Sequence, residues 1–148
     1  TYKMLKIWTD GSCLGNPGAG GWGFVATDGI HTAERSGGES NTTNNRMELT
    51  AVIRALSAAK NHSELEIHTD SQYVKNGMLS WIKNWKRNNW RTADKKPVKN
   101  QDLWQQLDEL SSTKKIHWFW VRGHNGDEMN ERVDLLARTA AEQIQLGK

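Results

Sequence analysis

Only one cysteine, Cys13, occurs in the 148 residues, so no intrachain disulfide can form, in keeping with a reducing compartment. Long apolar runs are missing as well. None approaches the ~20 residues a membrane-spanning helix needs, and the opening Thr-Tyr-Lys-Met-Leu-Lys lacks the continuous apolar stretch of a signal peptide. No internal repeats or low-complexity segments are present. These absences lead to the expectation of a cytoplasmic protein with no membrane attachment, acting as a monomer. What remains is enough for one globular domain over residues 1–148, since a chain of this length buries about two thirds of its unfolded surface. A 36% hydrophobic content with eight tryptophans supplies a core, and a 25% charged fraction is ordinary for a globular chain, which argues against disorder.

The net charge of +3 is unevenly spread. Between residues 83 and 99 stand Lys83, Lys86, Arg87, Arg91, Lys95, Lys96 and Lys99 against the single acid Asp94, a net +6, so the rest of the chain carries −3. A positive field concentrated in one segment is the mark of an element that binds a polyanion.

Along the chain, residues 3–9 and 22–27 read as strands joined by a glycine-rich stretch from Gly11 to Gly23. Asp28-Gly29 signals a hairpin into a third strand over 30–36, closing an antiparallel meander. Leu49, Val52, Ile53 and Leu56 follow helical spacing, with Asn45 and Glu48 placed as a capping box at the start. Leu65 to Thr69 alternates as a strand, and the chain turns helical from about Ser71. Strand, helix, strand and helix in succession argue for parallel pairing through crossovers. The second helical stretch aligns Val74, Met78, Trp81, Ile82 and Trp85, with Gly77 as a weak point where it kinks or divides. Asn88-Asn89 and Pro97 mark an irregular basic loop, and Leu103, Trp104, Leu107 and Leu110 a further helix. Ile116 to Val121 is apolar on both faces, as an interior strand would be. After a polar loop over 122–130, a last helix turns Val133, Leu136, Ala137, Ala140 and Ile144 inward, with Gly147 beyond its end.

Four acids interrupt this pattern: Asp10 ends an apolar run, Asp70 follows Leu65–Thr69, and Glu48 and Asp134 break apolar helical stripes. Each has a local explanation. Asp10-Gly11 is a common turn dipeptide, Asp70 suits a helix N-cap, Glu48 completes a capping box, and Asp134 is an early-turn helix acid. Their joint placement points elsewhere. Ligands collect at the carboxyl ends of parallel strands, where Asp10 and Asp70 sit and where Glu48 opens a helix. Gathered there, the carboxylates would repel one another unless they shared cations, and hard ions such as Mg2+ take oxygen ligands facing a phosphate-bearing substrate. Gly18-Ala-Gly20-Gly-Trp-Gly23 matches the dinucleotide fingerprint, but it runs into a strand where the motif should open a helix, so no nucleotide cofactor is expected. His124, between Gly123 and Asn125, is either a solvated loop residue or a group that moves a proton near neutral pH. Trp81, Trp85, Trp90 and Trp104 pack the basic segment, and one or two of them also suit stacking on a sugar or base.

The chain resembles type 1 ribonuclease H of bacteria. The resemblance is carried by Thr9-Asp10-Gly-Ser-Cys-Leu-Gly-Asn-Pro-Gly18, Thr42-Thr-Asn-Asn-Arg-Met-Glu48-Leu, Thr69-Asp70-Ser-Gln-Tyr-Val, the run from Trp90 to Asn100, and Asn130-Glu-Arg-Val-Asp134. It implies an α/β, ribonuclease H-like fold, a five-stranded mixed β-sheet flanked by α-helices with a basic handle at about 81–100. The implied activity is metal-dependent endonucleolytic hydrolysis of the RNA strand of an RNA/DNA hybrid duplex, leaving 5′-phosphate and 3′-hydroxyl ends. Two Mg2+ ions, with Mn2+ as a substitute, would be held by Asp10, Glu48, Asp70 and Asp134, and His124 would assist. By the same resemblance Cys13, Asn16, Asn44, Asn45 and Gln72 line the RNA strand, and the DNA strand crosses Trp81 and Trp85 toward Lys86, Arg87, Lys96 and Lys99, with Thr43 and Asn100 gripping a phosphate. One departure stands out: many relatives carry a basic residue two positions before Thr43, and here it is Asn41. The competing expectation is a hybrid-binding module of weak catalysis, which retention of all four acids disfavours.

Overall fold

The computed structural model describes residues 4–92, 94–121 and 128–147. Five strands, β1 (Leu5–Cys13), β2 (Gly18–Thr27), β3 (Thr32–Thr42), β4 (Glu64–Thr69) and β5 (Lys115–Trp120), form one sheet in the order β3-β2-β1-β4-β5. The first three make the expected antiparallel meander, and β1–β4 and β4–β5 pair in parallel. At the β2–β3 turn the Asp28 carboxylate accepts hydrogen bonds from the backbone N–H groups of Ile30 and His31 at 2.8 and 2.7 Å, the local bonding that makes Asp-Gly a hairpin residue pair. The helices are α1 (Asn44–Ala58), α2 (Gln72–Asn76), α3 (Ile82–Arg87), α4 (Gln101–Ser112) and α5 (Glu128–Gln145). The core gathers Leu5, Ile7, Leu65 and Ile67 from the sheet with Leu49, Val52 and Leu56 of α1 and Trp104 and Leu107 of α4. Helix α5 packs on β1, β2 and β3. Among the described residues no helix is long and apolar enough to cross a membrane.

Most of the glycine-rich stretch lies in strands, and Gly11, Gly20, Gly21 and Gly23 face helices. A Cβ on Gly21 would run into Ala137, Ala140 and Ala141 of α5, and one on Gly11 into the backbone of Met47 and Glu48. Bare backbone at these positions lets a helix settle directly on the sheet from either side. The fingerprint-like Gly18–Gly23 run lies wholly in β2.

Two expectations are corrected. β5, read as interior because it is apolar on both faces, is the sheet edge, and none of its residues is fully buried. Its aromatic side chains stack on neighbours instead: Phe119 on His68 at 4.7 Å, with His68 on Trp8 at 4.5 Å, and Trp118 on Trp120 at 5.0 Å. The caps also differ. Thr43, not Asn45, caps α1 by accepting the Arg46 N–H, and Ser71, not Asp70, caps α2 by accepting the Val74 N–H. Both carboxylates are thereby left for other partners.

Gly77 divides the second helical stretch as anticipated. A single π-helical turn over Gly77–Trp81 separates α2 from α3, and Gly77 lies against the buried Trp104 ring, where no side chain would fit. Beyond it Trp85 contacts Trp81, Trp90 and Trp104 at ring separations of 5.9, 6.1 and 5.5 Å, which anchors the basic handle to the core. Four handle residues, Asn89, Trp90, Lys95 and Asn100, hold left-handed backbone. At Lys95, exposed with φ +62°, the strain has no packing return, so Lys95→Gly is expected to stabilise the protein by about 0.5–1 kcal/mol in denaturant unfolding.

Candidate active site

The pairing register places the acids. β1 and β4 pair through Trp8 with His68 and then part, which carries Asp10 level with Asp70 on the same face of adjacent strands. Glu48 reaches them from α1, whose backbone rests on Gly11, and its carboxylate accepts the Gly11 N–H at 2.5 Å. The outcome is a group of three carboxylates, Asp10, Glu48 and Asp70, with ligand oxygens all within 4.8 Å of one another. Asp10 and Glu48 are buried. Asp134, on α5, forms an i,i+4 ion pair with Arg138 at 3.4 Å and lies near enough for its charge to act on Asp10. It is outside the tight group of three.

Such a cluster resists full ionisation. Burial, followed by the charges of Glu48, Asp70 and Asp134, pushes the Asp10 carboxyl far above the usual carboxylate range. Glu48 is also raised, first by burial and then by Asp70, against the opposing pull of hydrogen bonds from Asp10, the Gly11 N–H and Ser71. Without a cation, burial and mutual repulsion therefore bias both carboxyls toward the protonated form. A proton is one way to quiet this charge, and a hard divalent cation is the other. An all-oxygen donor set, two of whose carboxylates are buried, fits Mg2+ chemistry. Ser71 was not foreseen from sequence. Its signal was its place after Asp70, where a short hydroxyl can both cap a helix and reach a carboxylate.

The other proposed contact residues lie at the end of β1 and just after it, at the start of α1 and α2, and on the handle. Cys13 ends β1, its thiol facing the carbonyls of Gly18 and Thr42 at 3.6 and 3.4 Å. The Asn16 side chain accepts the Asn44 N–H at 3.2 Å, Asn44 and Asn45 lie on the first turn of α1, and Gln72 is exposed two residues past Asp70. Tyr73, Trp81, Asn84, Trp85, Thr92, Val98 and Lys99 line an open groove of about 390 Å³. Lys86, Arg87, Lys96 and Lys99 are exposed on the handle, with Lys86 3.4 Å from Asp108. Arg46 donates to both Thr43 and Asn100, from its backbone N–H to the Thr43 hydroxyl oxygen and from its guanidinium to Asn100 Oδ1. His124 lies outside the described residues.

Comparison with known proteins agrees with this arrangement. The RNase H family profile matches residues 2–142. Ribonuclease H of Thiobacillus denitrificans is 63% identical over 137 residues, 93% of either chain. Ribonuclease H of Hyphomonas neptunium is 55% identical over 141 residues, 95% of this chain and 94% of its own. Among solved structures, LC9-RNase H1, a type 1 RNase H with the type 2 active-site motif, superposes with a TM-score of 0.83 at 32% identity, covering 97% of this chain and 74% of the other.

Proposed function

The chain belongs to the ribonuclease H family, and we propose that it acts as a single-domain, monomeric, cytoplasmic endonuclease that cuts the RNA strand of RNA/DNA hybrids, leaving 5′-phosphate and 3′-hydroxyl ends. The observation that carries this reading is the buried carboxylate group around Asp10, whose oxygens lie close enough to share cations. Asp10, Glu48 and Asp70, with Asp134, would hold two Mg2+ ions, or Mn2+ in their place. When bound, these ions supply Lewis acidity to the scissile phosphate and acidify a water near it.

The chain's own residues do the rest. Glu48 is fixed by the Gly11 N–H, so its oxygens keep a set orientation toward Asp10 and Asp70. Cys13, Asn16, Asn44, Asn45 and Gln72 offer polar groups to the RNA strand beside the acids. The 2′-hydroxyl, donor and acceptor at once, is what such groups can read and what DNA lacks. The DNA strand crosses Trp81 and Trp85, whose faces tolerate any sequence, and reaches the handle, where Lys86, Arg87, Lys96 and Lys99 meet phosphates. Thr43 and Asn100 grip one DNA phosphate. A single chain supplies all of these contacts, so a monomer suffices.

His124 moves a proton near neutral pH or helps product depart. His124→Ala is expected to slow kcat on the order of 10²-fold without abolishing it. Complete inactivity would assign His124 a larger part.

Labelled RNA/DNA, RNA/RNA and DNA/DNA duplexes incubated with Mg2+ or with chelator test the whole reading. Cleavage confined to the hybrid, dependent on Mg2+, and giving products that religate only through their 5′-phosphates is the expected result. Hybrid binding without cleavage would instead favour a binding module, and cleavage of DNA/DNA would overturn the assignment.

A further inference from the structure

Asn41 leaves the phosphate grip of Thr43 and Asn100 without the cation that many relatives place there, yet a guanidinium, that of Arg46, is hydrogen-bonded to Asn100. Arg46 is in the first turn of α1, and its backbone N–H donates to the Thr43 hydroxyl oxygen at 3.3 Å. Its side chain then crosses to the start of α4. Nη1 donates to Asn100 Oδ1 at 3.2 Å and to Asp102 Oδ1 at 3.1 Å, and Nη2 donates to Asp102 Oδ2 at 2.8 Å. The other end of the Asn100 amide is also spoken for: Nδ2 donates to the Tyr73 hydroxyl at 3.0 Å.

These bonds determine which protons face outward. With Oδ1 turned to the guanidinium, the Asn100 amide can present only N–H to a ligand, and Nδ2 has one N–H beyond that used on Tyr73. The Thr43 oxygen accepts from Arg46, so its own proton can be donated. Of the five N–H bonds of a guanidinium, three go to Asn100 and Asp102, which leaves two for an incoming oxygen. The Asp102 side chain is 59% exposed, so the ion pair itself contributes little to stability. Left alone, that carboxylate would repel a phosphate at this spot, and Arg46 cancels the repulsion.

We infer that Arg46 is the cation of the DNA-strand phosphate site, replacing the basic side chain that position 41 does not supply and orienting the Asn100 amide so that its N–H faces the phosphate. This deepens the proposed function and rests on Thr43 and Asn100 gripping a phosphate. The alternative is a purely structural tie between α1 and α4.

Hybrids carrying one neutral methylphosphonate at a time along the DNA strand separate the possibilities. For the unaltered protein, one position is expected to raise KM about tenfold with kcat unchanged. Arg46→Ala should raise KM on the unmodified hybrid by a similar factor, and combining it with the methylphosphonate at that position should weaken binding no further, because each change removes the same charge interaction. Should Arg46→Ala not fold, Arg46→Gln, which keeps length and a donor, serves in the same cycle. If no methylphosphonate position affects the unaltered protein, the phosphate grip itself is wrong. If one position is sensitive and couples to Thr43→Ala but the Arg46 effect simply adds to it, the grip stands and Arg46 is only a structural tie.

Discussion

Asp10→Asn is expected to lower kcat on hybrid by about 10³-fold or more while hybrid binding persists, and at the same time to make the metal-free protein more stable at neutral pH. The two effects have one origin. Asp10 lies in the buried carboxylate group, and the environment raises its carboxyl far above the unfolded value of 3.8. A raised carboxyl pKa means that the folded protein holds a proton the unfolded chain has released. The associated stability is fully present below pH 3.8 and is lost as pH rises through the folded pKa. Glu48 shifts in the same direction from 4.5. In chelator, therefore, the unaltered protein loses stability from about pH 4 upward, whereas asparagine, isosteric and uncharged, removes the Asp10 share of that decline. The unfolding midpoints of the two proteins should coincide near pH ~3 and diverge toward pH ~8, with the variant ahead by about 0.5–2 kcal/mol there. Mg2+ should then raise the midpoint of the unaltered protein and close the gap, since an ion that binds only the folded state stabilises it. Full turnover by the variant would contradict the metal assignment, and a variant less stable than its parent at neutral pH would contradict the charge crowding.

The same cluster marks the limit of what the sequence discloses. Alternating and helical spacing, together with Asp28-Gly29, were sufficient for the meander, the crossovers and the division at Gly77, because these depend on local propensity and on which residues seek burial. β5 was misplaced because two apolar faces were taken to imply an interior strand, whereas here the strand is half-exposed at the sheet edge and its rings stack on His68 and on one another. The start of α1 was assigned to Asn45, and a cap on α2 was weighed for Asp70, when a better-placed hydroxyl stood near each. A capping rule sees one helix end at a time and cannot register that Glu48 is engaged by Gly11, 37 residues away in sequence. Asp10 and Asp70 come level through a parallel register that no spacing in the chain encodes, and their meeting was expected from their places at the carboxyl ends of two strands, not from periodicity. Arg46 shows the same limit. Its partners Asn100 and Asp102 lie 54 and 56 positions on, and nothing near Arg46 in the chain points to them.

Removing three handle charges, as in Lys86→Ala/Arg87→Ala/Lys96→Ala, is expected to raise KM about tenfold or more at physiological salt with kcat nearly unchanged. It should also flatten the dependence of log affinity on log salt by roughly 0.9 for each phosphate that is no longer neutralised, up to about 2.7. The handle permits a clean test because its charges and its structure rest on different residues. Lys86, Arg87 and Lys96 are exposed, while the segment is held by Trp85 against Trp81, Trp90 and Trp104 and by Val98 in the core. Neutralising the charges therefore leaves the packing in place, and the thermal midpoint should hardly move. Lys86 is 3.4 Å from Asp108, which already offsets part of its field, so its single substitution should cost less than that of Arg87 or Lys96. The carboxylates proposed to cut the RNA strand lie on β1, just after β4 and on α1, separate from the handle, which is why the effect belongs in KM and not in kcat. Measured across a salt series by anisotropy of labelled hybrid in chelator, an unchanged slope would show that these side chains only solubilise the surface and that the DNA strand is held elsewhere.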